Sequence, residues 1–271
     1  MDTSASPDTV VFIHGLWMTP LSWEHWRARY EAKGFTTLAP AWPGFDRPVE
    51  ELRADPESVE DVTISQIVDH YEAVIRALPK PPIIIGHSFG GTFVQILLDR
   101  GLGAAGVGVD SATIRGINDL PWTTIRSTTP ILGNPLNWHK AVMLTPKQFH
   151  YAFTNTLDEE ASQRAYDRYA VPGVGRVLVE GAFAGLNRHA ATSVDVKNDT
   201  RAPLLLLGGT EDHIIPVRVT EANFEIYEDS EAITAIKVYP GRSHFTVGQE
   251  GWEAVADFAL DWALNPVAGR L

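Results

Sequence analysis

The 271-residue sequence contains no cysteine, which removes disulfide frameworks, zinc ribbons, iron–sulfur clusters and every thiol nucleophile. Any covalent chemistry must use oxygen or nitrogen. Positive charge is also scarce: 22 Lys and Arg stand against 34 Asp and Glu, a formal charge of −12 that repels a phosphate backbone, and no basic run forms a local patch. Nucleic acid is not an expected partner. Long apolar runs are missing too, since Ile83–Ile85 and Leu204–Leu207 fall far short of the roughly 20 residues of a membrane span. No membrane partner is expected. The opening Met1–Asp8 has neither the basic start nor the apolar stretch of a signal peptide, so a cytoplasmic location is expected. What remains is an ordinary globular composition, 44% hydrophobic and 21% charged, in a chain long enough to bury one large core.

Short β-branched or leucine-rich runs alternate with stretches of helical period, the pattern of parallel strands joined by helical crossovers in an α/β architecture. Strands are expected over Thr9–Ile13, Phe35–Ala39, Pro82–Gly86, Gly106–Val109, Pro203–Leu207 and Ala232–Val238. Apolar residues recur at intervals of three and four through Val62–Leu78, Phe89–Leu98 and Trp252–Leu264, which predicts helices with one apolar face. The alternation stops between Ser111 and Ala202. That stretch carries Pro121, Pro130, Pro135, Pro146 and Pro172, and reads as short helices separated by proline breaks, notably Pro146–Phe153 and Asp158–Tyr169. It holds 10 Lys and Arg against 8 Asp and Glu, so the acidity of the chain lies elsewhere.

The sharpest local signal is Gly86-His87-Ser88-Phe89-Gly90, directly after an expected strand and directly before an expected helix. A serine on such a turn is held in a strained conformation, glycines two residues either side let the backbone approach, and the hydroxyl is presented at the sheet's carboxyl edge. The following helix points its positive end and free N–H groups at the same place. Serine at its ordinary pKa is a poor nucleophile and needs a base that a third group orients. His244 lies in a turn-rich loop between the last long strand and the last helix, and so sits at the sheet edge, with His213 as its rival. For the acid, Asp212 follows Leu204–Leu207, while Asp110 also ends a strand and Glu211 is adjacent. Asp212 is preferred because serine, then an acid after a late strand, then histidine is the usual chain order.

With these residues in place, the chain resembles an α/β-hydrolase-fold serine hydrolase of the esterase, lipase or lactonase kind. The resemblance implies a mostly parallel sheet flanked by helices, with residues 1–110 and 203–271 as the core and 111–202 as an inserted helical cap. The core is expected to be trimmed, because His14-Gly15 follows the first strand directly. That early motif implies the rest of an oxyanion hole, formed by the backbone N–H groups of Leu16 and Phe89, with that of Trp17 as the near alternative. Gly101-Leu-Gly103-Ala-Ala-Gly106 spells a dinucleotide fingerprint but follows a helix and precedes a strand, the reverse of the required order, and no phosphate loop or metal-ligand spacing is present. No cofactor and no metal are expected. The aromatic residues of the early loops and of the insertion suggest an apolar pocket, with Trp17, Trp122, Trp138 and Phe153 as the expected substrate-facing residues. A small apolar ester or lactone is the expected substrate; a same-fold lyase, perhydrolase or carbon–carbon bond hydrolase is the alternative, and a non-catalytic receptor a further one.

Overall fold

The computed structural model describes residues 6–117, 119 and 121–271, so positions 1–5 of the core and 118 and 120 of the insertion lie outside it. In chain order the first half of the core comprises β1 (Thr9–Ile13), α1 (Glu24–Ala32), β2 (Thr36–Leu38), α2 (Val49–Ala54), α3 (Ile64–Arg76), β3 (Ile83–His87), α4 (Phe89–Asp99) and β4 (Ala105–Val109). Between β4 and its sheet neighbour β7 (Leu204–Gly209), the stretch expected as an insertion holds α5 (Trp122–Leu132), β5 (Ala141–Val142), α6 (Pro146–Ala152), α7 (Glu159–Tyr169), β6 (Gly173–Val174) and α8 (Gly175–Ala182). The chain then returns through β7 (Leu204–Gly209), α9 (Val217–Glu225), β8 (Thr234–Tyr239), α10 (Trp252–Leu264) and β9 (Gly269–Arg270).

The seven core strands form one parallel sheet in the order β2-β1-β3-β4-β7-β8-β9. Both faces of the central strands are covered, which is why β1, β3, β4 and β7 read as apolar runs rather than alternating ones. Val10 and Phe12 of β1 pack on one side with Trp26 and Tyr30 of α1 and the apolar face of α10, while Val11 and Ile13 pack on the other with α3 and α4. Burying each of these side chains contributes about 1.5–3 kcal/mol. On the first face Trp26 Nε1–H donates to Val247 O at 2.9 Å, the Tyr30 hydroxyl donates to Ala256 O at 2.6 Å, and Arg29 grips Asp257 through two bonds of 2.7 and 2.6 Å. On the second face α3 starts with a capping box: Thr63 Oγ1 accepts from Gln66 N–H and Gln66 Oε1 accepts from Thr63 N–H.

The six expected strands are present to within two residues at each end, and β9 is a short edge strand that no local pattern announced. Two details of the insertion differ from the proline reading. A two-residue antiparallel ribbon, β5 with β6, joins the helices. Pro130 lies inside α5 instead of breaking it: it falls in the last turn, so few bonds depend on its missing N–H, and the hydroxyls of Thr128 and Thr129 donate to carbonyls of the preceding turn. Among the described residues no helix is long and apolar enough to cross a membrane.

The topology also fixes where a site can form. From β1 the chain moves outward to β2 and then back across to β3, so the loops leaving β1 and β3 diverge to opposite faces and open a crevice at their carboxyl ends.

Candidate active site

Among the described residues, three non-glycine residues have positive φ: Trp17 (63°), Ser88 (57°) and Asp110 (47°). They follow β1, β3 and β4, and such conformations cost about 1–3 kcal/mol each and persist only where the surroundings hold them. Ser88, with ψ −121°, is the single residue between β3 and α4. A Cβ on Gly86 would lie 2.1 Å from the Gly90 carbonyl oxygen, and one on Gly90 would lie 2.2 Å from the Ile13 oxygen, so only glycines let this turn close and pack onto β1. The Ser88 N–H donates to Val109 O at 3.0 Å, and its carbonyl accepts from Gly91 N–H at 2.9 Å. The residue is almost fully buried.

Asp212 and His244 meet across the ends of β7 and β8. His244 Nδ1–H donates to Asp212 Oδ2 at 2.6 Å, and Asp212 Oδ1 accepts from the N–H groups of Ile214 and Ile215 at 2.7 Å each. Both side chains are inaccessible to solvent. Burial pushes the His244 imidazole down, so the resting ring is neutral; it also pushes the Asp212 carboxyl up, against the pull of the Ile215 and Ile214 N–H groups. His244 Nε2 makes no hydrogen bond among the described residues. The serine turn is tied to the histidine loop by His87, whose Nε2–H donates to His244 O at 2.8 Å and whose ring lies 4.7 Å from that of His244. Nothing local in the sequence announced this tie, because it joins segments 157 residues apart.

The rival residues are placed elsewhere. Asp110 is fully buried, and burial together with the neighbouring Asp212 pushes its carboxyl well up, against the opposing pull of the Thr246 hydroxyl and the Gly209 N–H. Its nearest imidazole nitrogen is His87 Nε2, 4.0 Å away and already engaged with the His244 carbonyl. The Glu211 side chain points to solvent. His213 turns to the insertion, with Nδ1–H donating to Tyr151 O at 2.8 Å. Among the described residues, His87, Asp110 and His244 are the one group that could offer three metal-ligand atoms to a common point. The His244–Asp212 and His87–His244 bonds already commit one nitrogen of each ring, so the cluster reads as part of the same hydrogen-bonded site.

A Cβ on Gly15 would lie 2.8 Å from Ser88 Cβ, which puts the loop after β1 directly against the serine turn. Next to it, the N–H groups of Leu16 and Phe89 have no acceptor among the described residues. His14 holds the loop from behind: Nδ1–H donates to Gly15 O at 3.0 Å and Nε2 accepts from Trp42 N–H at 3.2 Å. Burial pushes His14 down to about 3, so it serves as a neutral latch.

A cavity of about 70 Å³ reaches Ser88. Leu16, Trp17 and Phe89 line it from the core, and Thr128 and Leu132 of α5 and Leu178 and Ala182 of α8 line it from the insertion. The Thr128 hydroxyl already donates to Thr124 O at 2.8 Å, so this wall is effectively apolar. Of the aromatic residues expected to face a substrate, Trp17 alone lines the cavity. Trp122 is 74% exposed at the start of α5, Trp138 meets the tilted ring of Phe183 at 5.6 Å, and Phe153 packs edge-on to His244 at 5.0 Å. A larger open groove of about 930 Å³, between α7 and the Phe245–Glu253 stretch, has a mixed lining that includes Asp158, Arg164, Arg168, Glu250 and Glu253, and does not reach Ser88.

This parallel sheet, with a strained serine between β3 and α4, is the architecture of an α/β hydrolase, and residues 10–258 match the model of the alpha/beta hydrolase family. The chain belongs to that family. Comparison with curated proteins gives no match by sequence. Among solved structures, it is similar to the monoacylglycerol lipase of Paleococcus ferrophilus, with TM-score 0.65, 20% identity and coverage of 96% of this chain and 95% of that one. It is also similar to a pyrethroid hydrolase from Sphingobium faniae JZ-2, with TM-score 0.67, 17% identity and coverage of 96% and 99%. A thermophilic esterase from Thermogutta terrifontis gives TM-score 0.64, 17% identity and coverage of 95% and 89%.

Proposed function

We propose that the protein is a serine hydrolase that cleaves a small, apolar carboxylic ester or lactone through an acyl-enzyme. The observation that carries this reading is the buried His244–Asp212 bond of 2.6 Å, with Nε2 of the same ring unengaged and its loop tied to the strained Ser88 turn. His244 Nε2 takes the Ser88 proton as Oγ attacks the carbonyl carbon. Asp212 holds the ring in the tautomer this requires and stabilises the imidazolium that forms. The N–H groups of Leu16 and Phe89, with the positive end of α4, receive the oxyanion, each donor being worth about 10²–10³ in kcat. His244 then protonates the leaving alcohol, and water repeats the attack on the acyl-enzyme. In the resting site Ser88 and His244 are not hydrogen-bonded; such bonds commonly tighten only when substrate is bound.

In this reading residues 111–202 form a cap over the 1–110 and 203–271 core, and α5 and α8 supply the apolar wall that selects the substrate. The esterase, lipase and pyrethroid hydrolase names of the structural relatives support ester cleavage. Hydrolysis of p-nitrophenyl acetate and of a small lactone by wild type and Ser88→Ala tests the proposal. The variant should lose at least about 10³-fold in kcat, and a fluorophosphonate should label wild type at Ser88. Ser88→Ala turnover within tenfold of wild type would refute it.

A further inference from the structure

The oxyanion loop is held by the insertion as much as by the core. Trp17 keeps its left-handed backbone, φ 63°, through two bonds to segments far along the chain. Its indole Nε1–H donates to Val142 O at 3.0 Å, and its own carbonyl accepts from Val171 N–H at 3.0 Å. Val142 pairs with Gly173 in the β5–β6 ribbon, and a Cβ on Gly173 would lie 2.4 Å from the indole Nε1, so the ring fills a notch that only glycine leaves open. On its other side the indole meets Phe153 edge-on at 6.2 Å. The Phe153 ring in turn meets His244, and the Phe153 carbonyl accepts from Phe245 N–H at 3.0 Å. One strip of the insertion therefore touches both the loop bearing the oxyanion donor and the loop bearing the base.

We propose that Trp17 is a positioning residue whose indole, bonded to Val142 and seated against Gly173, holds the Leu16 N–H in its oxyanion-binding orientation. This rests on the serine-hydrolase reading. Without the tether, Trp17 leaves a backbone region that non-glycine residues disfavour, the adjoining peptide planes turn, and Leu16 N–H turns with them. The ribbon is then a fixed part of the catalytic apparatus, and any opening of the cap belongs to α5 and α8, beyond it.

Two variants approach the tether from opposite sides. Trp17→Phe keeps an aromatic ring and removes the N–H donor; Gly173→Ala drives a methyl into the indole from a position that does not line the cavity. Each should lower kcat for p-nitrophenyl acetate by about 10- to 100-fold, the scale of a misplaced rather than deleted oxyanion donor. In Gly173→Ala, which leaves the cavity lining unchanged, KM should stay within about threefold, because an interaction made in the transition state is what is lost. The double variant should be no worse than the poorer single one, since both changes break the same tether. An unchanged kcat in Trp17→Phe, a change confined to KM in Gly173→Ala, or fully additive losses overturns the proposal. Should Gly173→Ala fail to fold, Trp17→Phe alone decides. Ser88→Ala, run alongside, separates the two levels. If it is inactive while Trp17→Phe keeps its kcat, only the tether fails; if it is active, the serine mechanism falls and the tether with it.

Discussion

Two buried aspartates end neighbouring strands, and exchanging each for asparagine discriminates between them. Asparagine has nearly the shape of aspartate, so the Asp212→Asn effect comes through hydrogen bonding. Its amide oxygen can take over the Ile214 and Ile215 N–H groups, both 2.7 Å from Oδ1, which turns the NH₂ toward His244 Nδ1. A ring facing a donor must present a lone pair at Nδ1 and carry its proton on Nε2, the nitrogen that has to accept the Ser88 proton. Loss of the correct tautomer and of imidazolium stabilisation lowers kcat by about 10⁴-fold, or about 5 kcal/mol of transition-state stabilisation. Asp110→Asn replaces a buried carboxyl, already pushed well up, by an amide of the same shape at a position that makes no bond to the His244 ring. Its effect should stay below about tenfold, under the range of a group that takes part in proton transfer. The assay is steady-state ester hydrolysis at pH 7.5, with circular dichroism to confirm that both variants are folded. A loss above about 10³-fold in Asp110→Asn, with more than a tenth of the activity kept in Asp212→Asn, refutes the assignment.

The His14 latch links stability to pH. Its folded pKa is lowered to about 3, so the unfolded chain binds a proton near pH 6.5 that the folded chain refuses; stability is complete above that value and is lost as pH falls from 6.5 toward 3. Urea unfolding of wild type should lose about 2 kcal/mol more between pH 7 and pH 5 than that of His14→Gln, and equal losses would show that His14 is protonated in the fold. Trp26→Phe removes the donor to Val247 O from a fully buried site and should cost about 2 kcal/mol by the same measurement, with ester turnover within about twofold of wild type because the residue lies on the far face from Ser88.

What was legible in the sequence was local. The turn at Ser88 needs only a strand before it, a helix after it and glycines at 86 and 90, all of which are contiguous, so its conformation could be read before the fold was known. The central strands β1, β3, β4 and β7 were legible for a similar reason, since strands covered on both faces select unbroken apolar runs. The edge strand β9 and the β5–β6 ribbon were not, because two residues carry no periodicity and their pairing depends on where distant chain returns. The aromatic residues of the insertion were visible as composition only. Which face of α5 would be buried depends on its neighbours, and Trp122 came out 74% exposed.

The sequence by itself determined the class of chain, the α/β alternation, the position of a strained serine and the exclusion of thiol chemistry, because each follows from residue type and from spacing within a few positions. Tertiary structure decided which buried acid faces His244, since Asp110 and Asp212 end adjacent strands and differ only in what surrounds them. It also decided that Trp17 spends its indole N–H on Val142 and that His87 holds the His244 loop. The last two contacts join residues more than 100 positions apart, and the energies of all three are set by direction and burial, which exist only once the chain is folded.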